Sequence, residues 1–329
     1  LPTASRHWLR WDEPIVSFRE GTWLTASVVG SRGGRVATIE PRRSDPAYRT
    51  HDPSAIPRAL GAVIRLRGAV HRCWLISAGG MEPRAEETAL CTRIETTWYD
   101  PVAAEVFRLE RAGGGAASFS GDPAMIRLRG SRERYDLIVI ESMPGGREEN
   151  RAVWAVETLE RAVRRLAPKG MLALLVRPAD CDRTELVVMT ATFNRAVPGF
   201  TRAALVGSGA NQVLVLLGCP DGRPRWDWDA AAQAGMRRIG SLRSFLRLVP
   251  AVVPNSLRRP AFSRADPSAE GGMELVRYVS QTSDWRELEP GPRPVPIMPP
   301  DWPGRMPIYP TSTAGPGPSR AYPDNPVPR

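Results

Sequence analysis

The sequence predicts a doubly wound α/β fold, in which helices cover both faces of a mostly parallel sheet. Short apolar segments alternate with segments of helical periodicity between residues 53 and 220, which is the pattern of such a fold. The apolar segments are hydrophobic throughout, as expected of strands that are buried on both faces. The last two are joined by only a few small and polar residues, so we expect the sheet to end with an antiparallel strand.

The composition is that of a folded chain without a membrane span. The 329 residues are 42% hydrophobic and 24% charged, which allows a sizeable core and excludes wholesale disorder. No apolar run approaches the roughly 20 residues that cross a bilayer. The first residues, which include Arg6, His7 and Arg10, lack the apolar core of a signal peptide. We therefore expect a cytoplasmic protein, either free or peripheral at a membrane.

The distribution of charge does not favour a nucleic-acid partner, and the cysteines and histidines do not favour a metal site. The formal net charge is +10, but the 45 basic residues are dispersed and Lys169 is the only lysine. Because no nucleic-acid reader motif accompanies the charge, nucleic acid is not the expected partner. The cysteines form no CxxC pair and the histidines have no ligand spacing, so no metal is expected. These residues are Cys73, Cys91, Cys181, Cys219, His7, His51 and His71.

The first 52 residues are predicted to comprise an N-terminal segment and a small β unit, which covers residues 14–40. Strand-like segments cover residues 15–18, 24–29 and 35–39, and Gly33 and Gly34 supply a hairpin turn. From residue 53 the apolar spacing becomes helical, with Ile56, Leu60 and Ile64 on one face. This change of period predicts a helix that leads into the main domain.

The main domain, residues 53–220, is predicted to contain the parallel sheet and its helices. The clearest helix covers residues 148–166, where Val156, Leu159 and Val163 belong to an apolar stripe, and Pro168 and Gly170 end it. A further helix is predicted at residues 184–194. The predicted strands are residues 73–77, 95–99, 117–120, 137–140, 171–176, 201–206 and 212–217.

Two further regions follow the main domain. Residues 221–289 are predicted to be an irregular and helical extension, in which Ile239, Leu242, Phe245, Leu246 and Val249 mark an amphipathic helix. Residues 290–329 contain 14 prolines, which exclude a packed helix or a central strand. This segment is either a disordered tail or an extended strap that docks on another surface. The side chains that would dock are Trp302, Met306, Ile308, Tyr309 and Tyr322.

Several short motifs occur in the order typical of one known family. They are Trp-Leu-Ile-Ser-Ala-Gly-Gly at residues 74–80, Tyr-Asp-Pro at 99–101, Gly-Asp at 121–122, Tyr-Asp-Leu-Ile-Val-Ile-Glu at 135–141 and Leu-Ala-Pro-Lys-Gly at 166–170. In this order the chain resembles the spermidine synthase branch of the S-adenosylmethionine-dependent methyltransferase fold, over roughly residues 14 to 220. The resemblance implies a Rossmann-like sheet and a site for S-adenosylmethionine or its decarboxylated form. It would place cofactor contacts at Gly79, Gly80, Glu82, Asp100 and Asp122, and a catalytic carboxylate at Glu141.

The sequence departs from the family pattern at each part of that site. Met81 and Pro83 follow the two glycines, where the family continues its glycine-rich loop. Trp98 stands where the family has the acidic residue for the ribose, and an indole has one donor and no acceptor. Met143 stands where the family has its second acidic residue after the fourth strand, so the general base of aminopropyl transfer is missing.

These departures leave different functions open. In the first, the chain is a non-catalytic spermidine synthase-like protein without a cofactor, acting through its surface and C-terminal strap. It would be a structural or accessory subunit of a larger protein complex, of which a membrane-bound energy-transducing complex is one example. In the second, it is a divergent aminopropyltransferase or methyltransferase that uses S-adenosylmethionine or its decarboxylated form. The first predicts that Trp98 and Met81 fill the pocket, and the second predicts an open pocket. A third and less favoured function is that of a basic module that binds an anionic membrane or nucleic acid.

Overall fold

The computed structural model describes the elements that build the sheet and its supporting helices. The described residues are 15–20, 24–31, 34–41, 54–77, 89–98, 117–119, 124–142, 154–181, 183–222, 224, 226–242, 246, 254–255 and 271–282. All of them belong to one compact unit, Leu1–Pro294. The proline-rich tail, residues 290–329, lies outside the described residues.

A separate antiparallel sheet forms near the start of the chain, as predicted. Its strands are β1 (Ile15–Glu20), β2 (Leu24–Ser31) and β3 (Gly34–Pro41), in the order β1-β2-β3. Ser31 pairs with Gly34, so only two residues connect β2 to β3. This is the tight hairpin expected from the adjacent glycines.

In the described part of the chain the main sheet has eight strands, in the order β6-β5-β4-β7-β8-β10-β9-β11. The first five in this order run parallel, and β10 is antiparallel to both β8 and β9. This is a Rossmann-like sheet of the methyltransferase type, with the antiparallel strand predicted from the short hairpin. The strands are β4 (Val70–Ser77), β5 (Cys91–Trp98), β6 (Ala117–Phe119), β7 (Tyr135–Glu141), β8 (Leu166–Val176), β9 (Phe200–Val206), β10 (Val213–Cys219) and β11 (Met236–Gly240).

Helices cover both faces of this sheet. The described helices are α1 (Ala55–Arg67), α2 (Ala124–Gly130), α3 (Val156–Arg164), α4 (Arg183–Ala196), α5 (Trp228–Gln233) and α6 (Gly271–Thr282). On one face, α1 packs against four strands and against α5. On the other, α3 and α4 pack against strands and against each other, α2 adjoins α3 and α6 adjoins α4. The predicted doubly wound architecture is confirmed.

A core cluster of buried side chains lies between α1 and the sheet. Ile56, Leu60 and Ile64 of α1 are at most 1% exposed and pack with alternate residues of the strands, such as Leu75 and Val139. Burial of each such side chain stabilises the fold by roughly 1.5–3 kcal/mol. The continuous apolar character of the strands follows from this arrangement, because the residues in between face the helices of the opposite side.

The connection between α3 and β8 differs from the prediction. The helix ends at Arg164, and Leu166 already pairs with Tyr135 at the start of β8, so Leu166 is not helical. Lys169 has a φ of 60°, and its backbone N–H donates to Asp221 Oδ2 at 2.8 Å. Gly170 follows because a Cβ there would lie 2.8 Å from the carbonyl oxygen of Ala167. The strand therefore begins with an irregular turn that sequence periodicity assigned to the helix end.

The region after residue 220 adds a strand to the sheet ahead of the predicted helix: Ile239 lies in the strand, whereas Leu242 and Leu246 are helical. Ile239 lies in β11, which pairs antiparallel with β9, so the sheet continues past residue 220. Met236 and Ile239 are buried while Arg237 and Arg238 are exposed. The helical spacing of the apolar residues was therefore misleading only at Ile239, which is held in β11 by backbone pairing with β9. Phe245 and Val249 lie outside the described residues.

Candidate functional site

The carboxyl edge of the parallel strands brings together three of the residues discussed above. Ser77 ends β4, Trp98 ends β5 and Glu141 ends β7. Ser77 pairs with Trp98, and Ile76 pairs with Ile140, so the three residues form one row across neighbouring strands. In open α/β sheets, ligands bind outside this edge where the strand order changes direction, which here is the boundary between β4 and β7.

A buried hydrogen bond connects the two strands at this boundary. The hydroxyl of Ser77 donates to Glu141 Oε2 at 2.9 Å. Ser77 is fully buried and Glu141 is 4% exposed. The next residue, Ser142, is also buried, and its N–H donates to the carbonyl of Leu175 in β8. The carboxylate of Glu141 is therefore held within the fold rather than presented on its surface.

Trp98 occupies the end of β5 as a buried side chain. It is 4% exposed, although it stands at the position where the resemblance implies an acidic contact to a ribose. The indole supplies no acceptor for a diol, so the described residues do not fit the ribose of S-adenosylmethionine at this position. That Trp98 fills the pocket stays a prediction, because the segments that follow β4 and β5 lie outside the described residues. Met81, the second residue expected to fill the pocket, lies outside the described residues.

Most other predicted site residues also lie outside the described part of the chain. The structure brings Glu141 together with Ser77 and Trp98. The predicted cofactor contacts outside the described residues are Gly79, Gly80, Glu82, Asp100 and Asp122. The predicted interaction residues of the tail, Trp302, Met306, Ile308, Tyr309 and Tyr322, are likewise outside.

A second polar cluster, which sequence reasoning missed, lies within the sheet. Glu95 is 2% exposed in the middle of β5 and accepts a hydrogen bond from the Tyr135 hydroxyl at 2.9 Å. Its carboxylate also pairs with the guanidinium of Arg127 from α2. The ring of Tyr135 lies 5.0 Å from that of Trp74, whose indole N–H donates to Thr97 Oγ1. The sequence could have indicated this cluster, because it places a glutamate inside a strand that is otherwise buried, and a buried charge requires a partner.

The outer side of this cluster carries a second carboxylate. Glu133 Oε2 lies 2.6 Å from Arg72 Nη2 and 3.1 Å from the Tyr135 hydroxyl. The hydrogen bond from Arg72 lowers the pKa of Glu133. Burial, and then the carboxylate of Glu95, raise the pKa of Tyr135. The phenol therefore stays protonated between two carboxylates, donating to one of them at a time.

The cysteines and the helices supply no further site in the described regions. Cys73 and Cys219 are buried free thiols, and burial raises the pKa of both. Within the described residues no group of three or more His, Cys, Asp or Glu could hold a metal ion. No described helix is both long enough and apolar enough to cross a bilayer.

Comparison with known proteins finds resemblance in structure only. No family model and no curated protein sequence matches the chain. A probable spermidine synthase from Corynebacterium glutamicum is similar with a TM-score of 0.49 and 14% identity, covering 77% of this chain and 99% of that one. Spermidine synthase from Thermotoga maritima has a TM-score of 0.40 and 10% identity, with 63% and 72% covered. The N-methyltransferase NodS from Bradyrhizobium japonicum, in complex with S-adenosyl-L-homocysteine, has a TM-score of 0.38 and 17% identity, with 54% and 93% covered. The fold assignment rests on the strand order of the sheet itself.

Proposed function

We propose that this chain is a non-catalytic protein of the spermidine synthase-like fold, which acts as a structural or accessory subunit of a protein complex. The observation that carries this proposal is the row of buried side chains at the carboxyl edge of β4, β5 and β7. There a buried indole, Trp98, stands at the position implied for the ribose contact. A fold by itself does not fix a function. Where the residues of the ligand site have changed, we expect the protein to act through contacts of its surface.

The state of Glu141 supports the same proposal. A base must be within reach of the proton that it removes from a substrate. Glu141 is 4% exposed and accepts a hydrogen bond from Ser77 across the strand boundary. In this arrangement the carboxylate stabilises the junction of β4 and β7, since a buried charge without partners would cost several kcal/mol.

The expected partners are other protein subunits, bound through the C-terminal tail. The support is compositional: Trp302, Met306 and Tyr309 are large apolar or aromatic residues in a segment rich in proline. Extended proline-rich segments lose little conformational entropy on docking, and aromatic side chains often dominate binding energy at interfaces.

The decisive experiment is calorimetric titration of the full chain with S-adenosylmethionine and, separately, with its decarboxylated form. No binding heat with either ligand is expected from protein whose circular dichroism spectrum is that of a folded α/β domain. Binding near micromolar affinity that Asp122→Ala abolishes would contradict the proposal. Arg195→Gln, an exposed change at the end of α4, is the matched control.

The partner proposal needs its own experiment. Affinity capture would compare the full chain with a chain truncated before Pro290. Specific protein partners should be retained by the full chain and lost by the truncated one. Equal capture by both chains would contradict the role proposed for the tail, without bearing on whether the fold binds a nucleotide.

One observation favours a second candidate, a divergent transferase that uses S-adenosylmethionine or its decarboxylated form. The carboxylate of Glu141 lies at the switch point of the strand order, where ligands bind in this type of sheet. Such an enzyme would require Glu141 to exchange its hydrogen bond from Ser77 for one from the substrate. The same titrations distinguish the candidates, because Glu141→Gln would then weaken ligand binding while leaving the fold intact.

A further inference from the structure

A cavity rich in arginine lies on the opposite edge of the sheet from Ser77 and Glu141. It has a volume of about 350 Å³ and lies where the C-terminal turns of α2 and α3 meet the segments that enter β7 and β8. Arg134 immediately precedes β7, and Arg165 immediately precedes β8. The cavity is therefore at the amino-terminal edge of the parallel strands. Its lining residues are Leu128, Arg129, Arg134, Arg161, Arg164 and Arg165.

The positive charge of this cavity is only partly balanced by the fold. Arg134 donates to the carbonyl oxygens of Arg164 and Leu166, and Arg165 donates to that of Arg129. These contacts satisfy N–H groups of the two guanidinium groups but do not neutralise their positive charges. The two helix C-termini together offset about one unit of charge. Glu160 supplies an acidic contact, since its carboxylate lies 4.0 Å from Arg164 in an exposed i,i+4 pair.

One guanidinium in the cavity has unused hydrogen-bonding capacity. Nη1 of Arg161 is buried and has no hydrogen-bond partner among the described residues. A buried donor on a charged group that lacks a partner costs more than an ordinary unmade hydrogen bond. Arg134 and Arg165 donate to backbone carbonyl oxygens, so a role in neutralising the negative ends of the helices accounts for their positions. The same role does not account for the buried donor of Arg161, which donates to no carbonyl oxygen in the described part of the chain.

We infer that the cavity binds a small phosphate-bearing anion of about the size of a diphosphate. Guanidinium groups form paired, charge-assisted hydrogen bonds with phosphate oxygens, and several such groups converge here from two helices and two strand entries. The volume exceeds what a single phosphate would fill and lies at the lower end of the range for small-ligand pockets. The concave shape favours a compact soluble anion over the extended backbone of a nucleic acid. This inference is independent of the proposed function.

The test is calorimetric titration of the full chain with inorganic pyrophosphate at low ionic strength. The wild-type chain should bind, and Arg161→Gln should weaken binding at least about tenfold, since it removes a charged donor. Arg164→Gln should also weaken binding, and its side chain is 64% exposed, so the fold should tolerate the change. Arg195→Gln removes the same charge at an exposed site on α4 and should leave the affinity unchanged.

Three outcomes would overturn the inference. The first is the absence of pyrophosphate binding by the folded wild-type chain. The second is equal weakening in Arg161→Gln and Arg195→Gln, which would indicate a general effect of net charge. The third is binding of a duplex oligonucleotide or of phosphatidic acid vesicles that depends on Arg161 while pyrophosphate does not bind, which would assign the arginines to a macromolecular surface.

Discussion

Removal of the Glu95 carboxylate should be among the most damaging single changes in the described sheet. Glu95 is 2% exposed, and its two oxygens serve different partners, the Arg127 guanidinium and the Tyr135 hydroxyl. Each hydrogen bond to a charged group contributes about 1.5–3 kcal/mol. Since Arg127 is 24% exposed and recovers part of its hydration, we expect Glu95→Ala to lower the free energy of unfolding by about 3–5 kcal/mol.

Two further variants separate the charge from the shape of the side chain. Glu95→Gln keeps an acceptor for one partner and loses the charge, so we expect a cost of about 1–2 kcal/mol. Glu133→Ala removes a carboxylate from the same cluster, but its side chain is 37% exposed, so we expect at most about 1 kcal/mol.

The assay for all three variants is urea unfolding at pH 7, followed by circular dichroism and by tryptophan fluorescence. Trp74 lies against Tyr135, so its emission should report the same cluster. If Glu95→Ala costs no more than Glu133→Ala, the buried network does not hold α2 to the sheet in the way described.

Three other predictions concern pH and close packing. Because the pKa of Glu133 is lowered, its ionised form stabilises the folded state at pH values above the pKa of the unfolded chain, and this contribution is lost as the pH falls through the lowered pKa of the folded state. Glu133→Gln should remove that part of the pH dependence of the unfolding free energy. Because the pKa of Tyr135 is raised, its contribution is complete below pH of about 10 and is lost above it, so Tyr135→Phe should unfold with a weaker dependence on alkaline pH in the same urea assay. Gly218→Ala would place a Cβ 2.8 Å from Val197 Cγ1 and should lower the melting temperature, at a cost of about 1–3 kcal/mol. Gly130→Ala meets no atom within 4 Å and should leave the melting temperature unchanged, so equal melting temperatures of the two variants would contradict the close contact between Gly218 and Val197.

Much of the sheet was predictable because strands that are buried on both faces have a recognisable apolar sequence. Most of the strands that are covered on both faces are largely apolar, although β5 contains Glu95, Thr96 and Thr97. The predicted and observed strand positions overlap from β4 to β10. The hairpin between β9 and β10 follows from a short polar connection. β11 was missed because its pairing with β9 uses backbone groups, while its side chains alternate only weakly.

The candidate site was predictable only in part. Ser77 and Glu141 are 64 residues apart, yet both end neighbouring parallel strands, so their proximity follows once the strand order is known. The contact between Glu95 and Tyr135 spans 40 residues and depends on side-chain direction, which periodicity does not give. The cavity near Arg161 depends on the ends of two helices meeting, and dispersed arginines give no sign of it in the sequence.

The irregular start of β8 makes the chain unusually convenient for chemical labelling. Lys169 is exposed in this turn, and it carries the only lysine ε-amine in the 329 residues. A reagent directed at lysine side chains would therefore attach a single fluorophore or cross-linker at a known position next to Asp221. Because the turn is fixed to Asp221 by a backbone hydrogen bond, such a probe would report distances from a defined point on the sheet to any bound partner.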